Sequence, residues 1–288
     1  MKGNIIEIMP NTQEWLDFRL NTIGASEISC LFNLNSYKPK LELWYEKAGK
    51  VANSFNGNIM SRAGLFLEDF IANEFVREVG VEVEKANHIV TSATIKGMSA
   101  TPDFYIVENG KRTGVLEIKN VCAEAYEYLW IDDNPPISYQ LQMQYQLACT
   151  GLKKGTVCAF IGGRELKIVH YVYDEEVISR MEKAVVEFWE SVEANRPPEA
   201  DADRKVYSVL RKAYPVKKDS MIDMTGNKKL DSSCEAFIKA KENKKLQEDF
   251  YAEKRNIIKQ MIKENQEVVS DNHIIKQHAN GIIKVSAI

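Results

Sequence analysis

Apolar positions recur at three- and four-residue spacing along residues 175–195, where Ile178, Met181, Val185, Phe188, Trp189 and Val192 fall on one face and predict an amphipathic helix. Residues 12–20 and 62–79 carry helical patterns too, and Ser26 stands where an N-cap would start a helix running to Leu34. Apolar runs at residues 89–95, 100–107 and 115–121 predict strands. Residues 139–150 follow, read as a helix closed by Gly151 at C′, although glutamines alternating at 140, 142, 144 and 146 fit a strand equally. Strands are expected at 156–161 and 166–173, joined through Gly162-Gly163. Helices, a strand cluster, then helix, hairpin and helix make a mixed α/β (α+β) core.

The pattern breaks at residues 195–203, where two prolines sit in a polar run, and this is read as a linker between a core of residues 1–196 and an extension of residues 197–288. In the extension, residues 232–265 are charged and nearly free of Gly and Pro, with Phe237, Leu246, Phe250, Ile257 and Met261 on a loose stripe. They predict a long exposed helix or helical hairpin arm. Asn280-Gly281 between short apolar runs has the composition of a β-hairpin turn.

Composition narrows the class. With 288 residues, 44% hydrophobic and 27% charged, the chain can bury a large core, which excludes disorder, collagen and a disulfide miniprotein. Its apolar runs fall short of a membrane span and its first residues lack a signal-peptide layout, so a cytoplasmic protein without membrane contact is expected. Five cysteines without a CxxC pair point to buried thiols rather than disulfides, zinc or an iron–sulfur cluster. Charge is unevenly spread: residues 201–288 hold 18 Lys and Arg against 13 Asp and Glu, while the first 200 hold 20 against 28. Bulk charge therefore argues against a nucleic-acid partner for the larger part and leaves one open for the basic extension.

The stretch richest in chemistry is Ala100-Thr-Pro-Asp103 followed by Gly114-Val-Leu-Glu117-Ile-Lys119. Residues two apart on a strand share a face, so Glu117 and Lys119 project together while Leu116 and Ile118 project into the core. The turn at residues 108–112 can fold Asp103 back beside them. Two carboxylates and an ammonium then meet at a sheet edge, and hard oxygen donors suit Mg²⁺, with Mn²⁺ as substitute, to polarise a phosphodiester and activate water. A lysine beside that water can orient it or help deprotonate it. On spacing alone, a solvated strand face explains Glu117 and Lys119 as well.

Other motifs surround this core. Trp15-Leu-Asp-Phe-Arg19 leads into Gly24-Ala25-Ser26-Glu27, and Ser36-Tyr37-Lys38 and Leu41-Glu-Leu-Trp44 come next. Gly64-Leu-Phe-Leu-Glu68 precedes Asp103 and Glu117-x-Lys119, and Tyr139-Gln-Leu-Gln142-Met-Gln144 closes the series. In this order the motifs resemble those of the PD-(D/E)XK nuclease superfamily, and within it the phage alkaline exonucleases of the lambda exonuclease and YqaJ recombinase type, over residues 15–189. The resemblance implies a restriction-endonuclease-like core and a 5′-to-3′ exonuclease that acts on linear duplex ends and leaves 3′ overhangs for phage-type recombination. It implies that Asp103, Glu117 and the main-chain carbonyl of Ile118 hold the metal, that Lys119 positions the water, that Glu68 adds a carboxylate, and that Gln142 supports the lysine or the phosphate. Ring-shaped homo-oligomers and a single-strand annealing partner are implied as well.

Arg19 near a serine-capped helix start has its own logic as an anion site. The resemblance assigns Arg19 and Ser26 to a 5′-phosphate pocket, with Lys38 a lesser candidate. Pairing of Arg19 with Asp17 or Glu14 on a surface helix, and Ser26 as a plain cap, remain open at this point. Trp15 and Trp44 read as core residues. The other readings are a restriction- or resolvase-type endonuclease of the same superfamily and an inactive DNA-binding accessory protein. The latter would be expected to have lost one of Asp103, Glu117 and Lys119, all of which are present.

Overall fold

The computed structural model of the chain describes residues 3–52 and 58–288. Two compact units divide between Val216 and Lys217. The first runs β1 (Asn4–Ile6), α1 (Gln13–Leu20), β2 (Ile23–Gly24), a 3-10 turn (Ala25–Glu27), α2 (Ile28–Leu31), α3 (Lys40–Lys47) and α4 (Ile59–Val79). It continues with β3 (Glu82–Lys85), β4 (Ile89–Thr91), β5 (Met98–Ala100), β6 (Phe104–Glu108), β7 (Lys111–Val121), α5 (Ala123–Leu129) and α6 (Ile137–Thr150). It ends with β8 (Lys154–Ile161), β9 (Glu165–Val172), α7 (Glu175–Glu193) and α8 (Arg204–Ala213).

The main sheet has the order β3-β6-β7-β8-β9 and a smaller one the order β1-β4-β5-β2. In the main sheet only β7 and β8 run parallel, and the crossover that a parallel pair requires is supplied by α5 and α6. Helices cover both faces. Val115 of β7 clusters with Met143 and Leu147 of α6, whereas Leu116 and Ile118 cluster with Ile71, Ala72 and Phe75 of α4. Because side chains alternate along a strand, Glu117 and Lys119 share the face of Val115 and lie beneath α6. A solvated strand face is thereby excluded, since Glu117 is 4% exposed.

Several expected elements resolve differently. The strand expected at 100–107 is two strands in two sheets, broken at Thr101, Pro102 and Asp103, where Pro102 lacks an amide N–H to continue a ladder. The glutamine-rich segment is helical, α6, closed by Gly151 at φ 74°. Ser26 is not an N-cap: Gly24, paired with Ser99 through β2, precedes the 3-10 turn, and the helix that follows ends at Leu31. Gly97 adopts φ +77°, where an added Cβ would meet the Trp189 ring at 2.3 Å, so the turn before β5 needs glycine for conformation and space.

The first unit continues beyond the linker at residues 195–203 because α8 belongs to its core. Val206 and Val209 are buried in the cluster that includes Trp44, Tyr45 and Phe188, and the Tyr45 and Tyr214 hydroxyls lie 2.9 Å apart. Trp44 is fully buried as expected; Trp15 is half-buried, with its Nε1 donating to Thr101 Oγ1 at 3.3 Å.

The second unit comprises α9 (Lys228–Ile262) and an antiparallel sheet of β10 (Glu267–Val269), β11 (His273–Gln277) and β12 (Ile283–Ala287). The charged segment is one continuous helix, and Gly281 at φ +82° sits in the β11–β12 turn. Among the described residues, no helix is long and apolar enough to cross a membrane.

Candidate active site

The β6–β7 hairpin assembles the carboxylates. Asn109 (φ 52°) and Gly110 (φ 70°) supply the two left-handed positions of a tight two-residue turn, and the register pairs Phe104 with Leu116. Asp103, at the head of β6, therefore comes level with Glu117 and Ile118, and its Oδ2 accepts the Ile118 N–H at 2.8 Å.

Glu117 is held by three donors. Lys119 Nζ and Gln142 Nε2 each donate to Oε1 at 2.6 Å, and Gln146 Nε2 donates to Oε2 at 2.6 Å. Gln142 Oε1 in turn accepts from Lys119 Nζ at 3.1 Å, and the ammonium lies 4.8 Å from the Tyr139 ring centroid. Tyr139, Gln142 and Gln146 face β7 together because residues three and four apart share one side of a helix.

The charges here are strongly coupled. Burial, then Glu117, and to a lesser extent Glu68, push the Asp103 carboxyl well above the usual aspartate range, against Lys119 and the Ile118 N–H. Burial also raises Glu68 on α4, partly offset by Lys85. Burial pulls the Lys119 ammonium down, but Glu117, Asp103 and Tyr139 outweigh it and hold it above the ordinary lysine range. Among the described residues, no three His, Cys, Asp or Glu side chains gather closely enough to form a metal site by themselves. What the fold offers is two neighbouring carboxylates, Asp103 and Glu117, with Glu68 near enough to be felt. This surplus of hard, negatively charged oxygen is the donor chemistry that suits Mg²⁺ or Mn²⁺.

A cavity of about 370 Å³ opens beside this cluster, and Asp103, Glu68, Lys85, Arg19, Ser26 and Trp15 are among its lining residues. Sequence-distant candidates thus meet at one cavity: the carboxylate end and the Arg19–Ser26 end are parts of the same wall. Ser26 is exposed. The Arg19 guanidinium lies over the Trp15 ring at 4.7 Å and pairs with Glu27 Oε2 at 3.2 Å, not with Asp17 or Glu14. Lys38 is not part of this lining; its Nζ pairs with the buried Glu46 at 2.5 Å.

Two groups escaped the sequence reading. Glu27, buried, accepts from Lys47 Nζ at 2.9 and 3.1 Å and from the Gly24 N–H at 2.9 Å, so one carboxylate grips both Lys47 and Arg19. No local signal announces this pairing between the 3-10 turn and α3. Gln146 was legible in principle, as the residue one helical turn beyond Gln142, but only once the segment is known to be a helix.

Comparison with known proteins agrees with this architecture. Residues 14–153 match the model of the YqaJ-like viral recombinase domain. The uncharacterized protein YqaJ of Bacillus subtilis (strain 168) is 31% identical over 216 residues, a match spanning 74% of this chain and 66% of that protein. Among solved structures, the alkaline exonuclease LHK-Exo of Laribacter hongkongensis superposes with a TM-score of 0.52 at 23% identity, covering 70% of this chain and 98% of its own. The same enzyme in complex with dAMP gives a TM-score of 0.52 at 22% identity, covering 70% and 98%.

Proposed function

The chain belongs to the YqaJ-like viral recombinase family, and from that footing we propose that it is a Mg²⁺-dependent exonuclease that degrades one strand of linear duplex DNA from the 5′ end and leaves 3′ overhangs for recombination. The observation that carries this reading is the convergence of Asp103, Glu117, Lys119 and Gln142, with Asp103 lining a cavity whose wall also holds Glu68 and Arg19.

Asp103, Glu117 and the Ile118 carbonyl would hold the ion, with Glu68 contributing directly or through water. When bound, the ion supplies Lewis acidity toward the scissile phosphate and lowers the pKa of water. Lys119, held against Glu117 and Gln142, would position the attacking water. Gln142 keeps that ammonium in place through its Oε1. Arg19, flattened on Trp15, presents guanidinium N–H groups to an anion, and Ser26 offers a hydroxyl at the same wall. A terminal 5′-phosphate held there would set the distance from the strand end to the carboxylates. Carboxylates committed to a cation account for only part of the excess acidity of the first 200 residues. Ring assembly and an annealing partner belong to the same reading.

The test is digestion of 5′-phosphorylated linear duplex DNA with Mg²⁺. Nucleotide release from linear but not covalently closed DNA is expected, with Lys119→Ala losing on the order of 10²-fold or more. No release, or equal release by Lys119→Ala, would refute the mechanism. Cleavage of closed circles would instead support an endonuclease. Arg19→Ala should erase the preference for 5′-phosphoryl over 5′-hydroxyl ends, and a preference that survives it removes Arg19 from the phosphate site.

A further inference from the structure

The α6 glutamines divide into two kinds. Gln144 uses both ends of its amide on main chain, donating to the Val172 carbonyl at 2.8 Å and accepting the Asp174 N–H at 2.9 Å, so it ties α6 to the β9–α7 corner. Gln146 is fully buried, yet it makes one side-chain bond, from Nε2 to Glu117 Oε2, and its Oε1 has no hydrogen-bond partner among the described residues. Leaving a buried carbonyl oxygen unmet is unfavourable, and a residue selected only to fill the core would be apolar. The amide orientation is forced by chemistry, because the reversed amide would set oxygen against carboxylate.

We propose that Gln146 is a positioning residue for the metal-binding carboxylate, locking the plane of Glu117 from the side opposite Gln142 and Lys119. The inference rests on the metal-dependent nuclease reading above. Gln142 and Lys119 both act on Oε1, so without Gln146 the carboxylate is tethered through one oxygen and Oε2 loses its side-chain donor. With Gln146 the second oxygen is fixed as well, and the carboxylate meets an incoming ion already oriented. Outer partners of metal ligands act in this way, and their loss typically weakens metal binding 10- to 100-fold.

The experiment uses the full chain without DNA and measures Mn²⁺ binding by calorimetry alongside thermal melting of the metal-free protein. Gln146→Met, of similar length and apolar, is expected to weaken Mn²⁺ binding by about tenfold or more. Gln144→Met is expected to do the reverse, lowering the melting temperature while leaving Mn²⁺ binding unchanged. Gln146→Ala, which empties the position rather than filling it, is measured in parallel and should also bind Mn²⁺ weakly. Wild-type affinity in a folded Gln146 variant would overturn the proposal, and so would failure of both Gln146 variants to fold, which would mark the residue as purely structural. Absence of Mn²⁺ binding by the wild-type chain would refute the metal-dependent reading itself, a result distinguishable from a Gln146 variant that binds normally.

Discussion

Replacing Glu27 with glutamine isolates a charge that the fold has enclosed. Burial raises the pKa of this carboxyl, but Arg19, then Lys47, the Gly24 N–H and Lys38 outweigh it and leave the pKa at about 2 against an ordinary 4.5. A depression of that size corresponds to roughly 3 kcal/mol of differential stabilisation of the charged form. The folded pKa lies below the unfolded one, so this stabilisation is present above about pH 4.5 and is lost as pH falls toward about 2. Lys47 takes back part of it: burial holds its ammonium below the ordinary lysine range despite Glu27, so the network contributes less than the carboxylate alone implies. Glu27→Gln keeps an acceptor for the Gly24 N–H but leaves Lys47, with a side chain 4% exposed, beside Arg19 without a counter-charge. Removing one partner of a buried pair costs about 3–5 kcal/mol. In a unit of this size that lowers the melting temperature by on the order of 10 °C.

Thermal melts of wild type and Glu27→Gln from about pH 7 down to about pH 3 read both effects, because below about pH 4.5 the Glu27 carboxyl of the unfolded chain takes up a proton while the folded one stays ionised, and the gap between the two should shrink. A double variant, Glu27→Gln with Lys47→Met, should recover part of the loss, since no ammonium is then left buried alone. A constant gap across the pH range, or no recovery in the double variant, would refute the argument. Arg19 also loses its anchor in Glu27→Gln, so discrimination between 5′-phosphoryl and 5′-hydroxyl ends should fall with stability in the single variant. It should not return in the double one.

Asp103→Asn should abolish nuclease activity while raising the melting temperature of the metal-free protein at neutral pH, a gain on the order of 1 kcal/mol. The sign follows from the raised pKa: a carboxyl whose folded pKa lies above its unfolded one stabilises the fold at low pH and progressively less as pH rises and the buried charge must form. The advantage of the variant should therefore vanish in acid, and an unchanged or lower melting temperature at neutral pH would contradict this assignment. Gly97→Ala should destabilise by several kcal/mol because the new methyl group meets the Trp189 indole at a left-handed backbone position. Near-UV circular dichroism of Trp189 tests the cause, and a variant that melts with the wild type would show that the indole can give way.

The core chemistry was legible because it is local. Strand alternation puts Glu117 and Lys119 on one face, and the Asn109-Gly110 turn, with a register shift between Ile106 and Val107 that was not legible in the sequence, returns Asp103 beside them. The helix over residues 175–195 was equally plain, since its apolar spacing matches the helical period, and Glu175–Glu193 is observed. Where the reading failed, tertiary pairing had overridden a local signal. Ser26 has the composition of a cap, but pairing of Gly24 with Ser99 fixes the chain one step earlier, so the helix start moves to Gly24. The two prolines before Glu199 resemble a boundary, but the buried faces of Val206 and Val209 bring α8 back onto the core, so the unit closes only at Val216.

By itself the sequence determined the strand–turn–strand that makes a paired carboxylate site, since turn chemistry and side-chain alternation act over a few bonds. Only the tertiary structure decided which helices cover that strand. It buried Glu117 beneath α6 within reach of Gln142 and Gln146, and it set Lys47 of α3 against Glu27 to hold Arg19 at the cavity. The reason is physical: the cost of enclosing a charge, and the partners that offset it, depend on which residues distant in sequence arrive beside it.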